Sequence, residues 1–146
     1  MSVVDDFAWD DRFLVGHRGM DETHHEFVQL VNAMLQAEDA DFAALLDTFA
    51  QHLHLHFEAE RELMELHVFP ARQCHLDEHE RVMESVLEVR ALVAQGDVQT
   101  GKALAEALAD WFPGHTEYMD SSVSSWVSKK VANGAPVVLR RMRFES

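Results

Sequence analysis

Residues 42–64 read FAALLDTFAQHLHLHFEAERELM, and the apolar positions Phe42, Leu45, Leu46, Phe49, Leu53, Leu63 and Met64 recur with the period of an amphipathic helix. The stripe is broken by His56 and Glu60, four residues apart, hence about 40° apart round a helix and one turn up. Polar groups on a face that should be core must be satisfied there by something. Downstream, HLDEH repeats the device: His75 and His79 are four apart and prolong the stripe of Val82, Val86 and Val93. Upstream, His24 stands three before Phe27 and seven before Val31, and farther on His115 and Asp120 follow Trp111.

Working outward, the pattern predicts four helices. Helix A runs from Asp21 to about residue 38, helix B ends near Phe69-Pro70, and helix C runs from near Arg72 to a stop at Gly96-Asp97. Helix D carries Leu104, Leu108, Trp111 and Phe112, is disturbed at Pro113-Gly114 and resumes toward Trp126. In an ideal helix the five-residue step from His115 to Asp120 leaves them about 140° apart, so a π-type turn is expected between Trp111 and Asp120. The first 18 residues, with Trp9, Phe13 and Val15, read as an extended arm over the core. Short loops between four helices predict an all-α, up-down antiparallel four-helix bundle over residues 1–130, followed by a C-terminal tail at 131–146.

A chain of 146 residues that is 47% hydrophobic, with 6 Gly and 3 Pro, has material for one real core. Its 26 acidic against 12 basic residues give a net charge of −14, which opposes binding to nucleic acid. No apolar run approaches the ~20 residues of a membrane span. One cysteine, Cys74, and an acidic start without a signal-peptide pattern predict a cytoplasmic protein. The basic residues gather late: Lys129, Lys130, Arg140, Arg141 and Arg143 stand against the single acid Glu145, and this stretch either folds back on the acidic body or meets a protein partner or a membrane surface.

A lone histidine on an apolar face is ordinarily a hydrogen-bonded core residue. Four helices each turning imidazole or carboxylate inward are another matter, because five histidines and two acids are costly to bury without a metal. The set exceeds what one tetrahedral zinc takes, and the HExxH spacing fails, since Gln29 and Met83 stand four after His25 and His79. Two metals sharing both carboxylates fit better, and a histidine-rich, acid-poor site suits iron kept at Fe(II)/Fe(III). No further carboxylate is expected on the ligand stripes of helices B and C. The remaining histidines, His17, His25, His52, His54 and His67, read as surface or supporting residues, with His52 one turn from His56 on the ligand face. Cys74 reads as a structural or surface thiol, and Met34, Met64, Met83 and Met119 as packing.

From Trp9 to about Trp126 the chain resembles the hemerythrins, the single-domain bacterial ones in particular. The resemblance rests on Trp9, Val15 and Gly16 of the arm; on MDETH, with His24; on His56, Phe57 and Glu60 followed by Leu63-Met64; on His75 and His79 fifteen residues after the glutamate; and on Trp111, His115 and Asp120. It implies a di-iron centre in which His75, His79 and His115 bind one iron and His24 and His56 the other. Glu60 and Asp120 would bridge the pair together with an oxo or hydroxo group. Counting ligands then leaves the second iron one short, and in the family that opening takes O2 reversibly, with Phe112 and Trp111 at the O2 pocket. The implied role is an oxygen carrier, store or sensor rather than an enzyme. The alternatives are a di-iron enzyme acting on nitric oxide, peroxide or O2, and an interaction module responsive to oxygen or redox state. Departures from the family pattern are Arg61 after the bridging glutamate, Phe112 where many relatives carry leucine, Pro113-Gly114 beside a ligand, and Thr116 in place of the usual isoleucine.

Overall fold

The computed structural model describes residues 7–134. Five α-helices, α1 Arg18–Gln36, α2 Asp39–Leu66, α3 Arg72–Ala94, α4 Val98–His115 and α5 Ser121–Gly134, make four rods, because a π-turn, Thr116–Asp120, joins α4 to α5 end to end. Within the described residues there is no strand, and no helix is long and apolar enough to cross a membrane. The start of the arm and Arg140, Arg141 and Arg143 of the basic tail lie outside the described residues, while α5 carries Lys129 and Lys130 and continues to Gly134.

α2 packs against α1 and α3, and α4 packs against α3 and α1, which closes the ring of an up-down bundle. The apolar stripes meet in two clusters. One holds Phe27, Phe42, Phe49, Leu53, Val86 and Phe112; the other, at the opposite end, holds Met20, Met64, Phe69, Val123 and Val127. Each such side chain contributes about 1.5–3 kcal/mol by leaving water. The polar residues of the stripes fall between the two clusters. Gly101 sets how closely α4 approaches, since a Cβ there would lie 2.5 Å from Phe42 and 2.7 Å from Val93.

Two helix ends differ from the sequence expectation. α1 begins at Arg18, not Asp21, because the His17 ring accepts from the Met20 N–H at 3.2 Å and caps the helix. Asp21 is left free to take the arm's Val15 N–H at 2.7 Å. α2 ends at Leu66, short of Phe69-Pro70. There Val68 adopts φ 51, its N–H bonds Glu65 O and the Phe69 N–H bonds Met64 O, a Schellman turn that brings Phe69 back onto Met64 in the second cluster. The arm forms a 3₁₀ turn, Asp11–Phe13, with Phe13 in the core, and the Ser124 hydroxyl donates to Val15 O at 2.7 Å.

Candidate metal centre

Helix periodicity brings His24 from α1, His56 and Glu60 from α2, His75 and His79 from α3, His115 from α4 and Asp120 from the π-turn to one level of the bundle. None is more than 6% exposed. The expected π-type turn is present, but it starts after Pro113: α4 runs on through the proline, and the Ser121 N–H reaches Thr116 O, five residues back. The wider turn swings Asp120 onto the face of His115, whose Nε2 lies 3.1 Å from Asp120 Oδ1.

The two carboxylates divide their oxygens between two groups of histidines. Glu60 Oε2 lies 2.6 Å from His56 Nε2, while its Oε1 lies 3.4 Å from both His75 and His79 Nε2. Asp120 Oδ2 lies 2.9 Å from His24 Nε2, while its Oδ1 lies 3.1 Å from both His75 and His115 Nε2. Donor atoms of Glu60, His75, His79, His115 and Asp120 fall within 4.8 Å of one another, and so do those of His24, His56 and Glu60. Three atoms that face this centre, Glu60 Oε1, Asp120 Oδ1 and His75 Nε2, are buried with no hydrogen-bond partner. His79 and His115 turn Nε2 toward Nε2 at 3.3 Å, a contact that a shared proton or cation makes favourable. Such a donor set fits divalent or trivalent metal and is costly without it.

Electrostatics of the metal-free chain agree. Burial and the neighbouring Asp120 would each raise the Glu60 carboxyl, yet the surrounding imidazoles, His56 foremost, pull it down to about 2. Asp120 is likewise held well below the usual carboxylate range by His115, His24 and His75 against the effect of burial. Burial opposes charge on His75, but its contacts with Asp120 and Glu60 raise it to about 9. His24 and His115 are also raised, chiefly by Asp120, despite burial. His79 goes the other way, to about 3, through burial and the charges of His75 and His115. The carboxylates thus favour positive charge on His24, His75 and His115, where metal charge would stand.

Outer contacts fix two rings. His24 Nδ1 donates to Phe13 O at 3.2 Å, and His115 Nδ1 donates to Glu78 Oε2 at 2.6 Å. Trp111 Nε1 donates to the same oxygen at 3.2 Å. Glu78, beside the ligand stripe rather than on it, is a supporting residue that the sequence reading did not single out. Its signal was its place three after His75 and one before His79, at the edge of the ligand stripe. The two residues expected at an O2 pocket part company: the Phe112 ring stands 5.4 Å from His24 and stacks on Phe27 at 4.4 Å, whereas Trp111 stacks on His115 at 4.3 Å. His52 is half-buried with Nδ1 3.6 Å from Glu26, and Cys74 is exposed.

Buried imidazoles and carboxylates at one level of an antiparallel four-helix bundle define a non-heme metal-binding bundle protein. Residues 15–127 match the family model of the hemerythrin HHE cation binding domain, and the chain belongs to the hemerythrin family. It is 35% identical over 122 residues to the bacteriohemerythrin of Ralstonia nicotianae, covering 84% of this chain and 89% of that one. Hemerythrin-like proteins of Naegleria gruberi and Naegleria fowleri are each 24% identical over 119 residues, covering 82% of this chain and 92% of each relative. Family and cluster together fit a non-heme di-iron protein.

Proposed function

We propose that this protein binds O2 reversibly at an iron pair, with His75, His79 and His115 holding one iron, His24 and His56 the other, and Glu60 and Asp120 bridging them beside an oxo or hydroxo group. The observation that carries the reading is the division of each carboxylate between a three-histidine and a two-histidine group. With shared bridges, the two-histidine side is one ligand short of the other, and the opening belongs there. An iron pair held by these residues would supply the electrons for reversible O2 binding.

The protein's part is to keep that exchange reversible. Phe112, Phe27 and Phe13 wall the His24 side with apolar surface. Both buried acids are committed as bridges, and the extra carboxylate, Glu78, is engaged by His115 and Trp111 on the three-histidine side. No free general acid is thereby offered to the two-histidine side, which supports binding over turnover. Anaerobic, reduced, iron-loaded protein titrated with O2 should develop a charge-transfer band that disappears when the gas is removed, over repeated cycles. A single irreversible oxidation, or sustained consumption of O2, peroxide or nitric oxide, would instead establish an enzyme.

A further inference from the structure

Thr116 is fully buried, and its hydroxyl oxygen has no hydrogen-bond partner among the described residues. Inside a helix such a hydroxyl ordinarily turns back to a carbonyl one turn earlier. Thr23, Ser121 and Ser122 do this here, bonding Met20 O, Glu117 O and Tyr118 O. The Thr116 backbone N–H reaches Phe112 O and Pro113 O, but its side chain makes no such bond. Among the described residues, apart from His52, every other buried side-chain atom without a partner belongs to the candidate ligands themselves.

Its place on the fourth rod says which half of the site it serves. Phe112, Thr116 and Asp120 occupy successive turns and share a face. One turn before it, Phe112 has its ring against His24, and one turn after it, Asp120 places Oδ2 2.9 Å from His24 Nε2. The arm's 3₁₀ turn, which carries the Phe13 carbonyl bonded to His24, packs against the same π-turn. Thr116 therefore lies over the two-histidine half, among aromatic walls that offer a bound ligand no hydrogen bond.

We propose that the Thr116 hydroxyl is the hydrogen-bond donor to a small, electron-rich ligand at the open position of the two-histidine iron, and that it biases this position toward ligands with a strong acceptor atom. The inference rests on the reading of an iron pair with an open position on that side. It assigns to this chain a polar contact that an apolar side chain at the same place does not supply.

Azide is the probe, since it is a small anion with acceptor nitrogens and an infrared stretch sensitive to hydrogen bonding. Oxidised, iron-loaded full-length protein is titrated with azide optically, and the stretch is recorded in H2O and D2O. Thr116→Val, close in shape but without the hydroxyl, should retain its iron, bind azide roughly tenfold more weakly and lose the H/D shift; Thr116→Ser should restore both. Metal-free Thr116→Val should melt no lower than wild type, because a hydroxyl without a partner adds nothing to the fold. A lower melting temperature would show the hydroxyl engaged within the protein and would overturn the proposal. So would wild-type azide affinity and an unchanged stretch in Thr116→Val, with the open position itself left standing. Failure of the wild type to take up either azide or O2 would remove the open position, and the proposal with it.

Discussion

Glu60 is the residue on which both halves of the centre depend, since its two oxygens face His56 on one side and His75 and His79 on the other. Glu60→Ala should therefore lose both irons, because two cations would then face each other with less negative charge between them. His24→Ala removes a donor from one half only and should lose chiefly one metal. Metal analysis of the purified variants checks this, and two irons per chain in Glu60→Ala would end its assignment as a bridge. Six of the candidate ligands were legible in the sequence because each puts a polar group on an apolar stripe, and Asp120, about 140° off His115 on a regular helix, only on the expectation of a wider turn. Glu78 was harder to read, because it stands at the stripe's solvent edge and partners His115 by its outer nitrogen. The Phe13 carbonyl that holds His24 was not legible at all, since a backbone acceptor leaves no mark in the residue type. Thr116 was legible only as a departure, and its significance lies in a hydroxyl whose lack of a partner is a fact of packing.

At the scale of single elements, the end of α2 is strained. Val68 is a β-branched residue at φ 51, a conformation that costs a non-glycine residue about 1–2 kcal/mol, and the residue is 56% exposed. Val68→Gly should raise stability by about 1 kcal/mol in chemical denaturation without altering metal content. The proline rule placed this end near Pro70, but the demand that Phe69 return to Met64 ends the helix earlier. The fourth rod shows the same competition between local rule and tertiary demand. Pro113 lacks an N–H but does not break α4, and the backbone widens instead at Thr116–Asp120, where Asp120 must meet His24, His75 and His115. Deleting Tyr118, which is 72% exposed, would shorten the His115-to-Asp120 step to four residues, the spacing of His56 and Glu60 on regular helix. The deletion variant should keep two metals and comparable helical circular dichroism. Loss of metal with the helices intact would show that the π-turn does more than set spacing.

For the molecule as a whole, the centre couples stability to pH. His75, raised to about 9 from 6.5, stabilises the metal-free fold below pH 6.5, and this contribution is lost as pH rises through about 9; His24 and His115 act in the same direction. His79, lowered to about 3, must be neutral in the fold, so stability also falls as pH drops from 6.5 toward 3. Glu60, lowered from 4.5 to about 2, adds a further loss in acid. Metal-free protein should thus melt highest near pH 6.5, whereas bound cations replace the imidazole protons and should flatten the alkaline fall. Melting curves of both forms across this range test it, and a metal-free profile flat above pH 6.5 would contradict it. The bundle itself was plain from periodicity, since four apolar stripes with short connections leave few other arrangements. What periodicity could not supply is the fastening of the arm, where Val15 N–H meets Asp21, Val15 O meets Ser124, and Phe13 O meets His24. That fastening bears on when metal can be acquired. His24, His56 and Glu60 leave a translating ribosome well before Asp120 and Ser124, so early in synthesis the two-histidine half lacks both its second carboxylate and the strap that steadies His24. Metal that needs both halves of the centre would therefore be held firmly only after the π-turn has been made, and a nascent chain stalled before it would be a weak competitor for that metal.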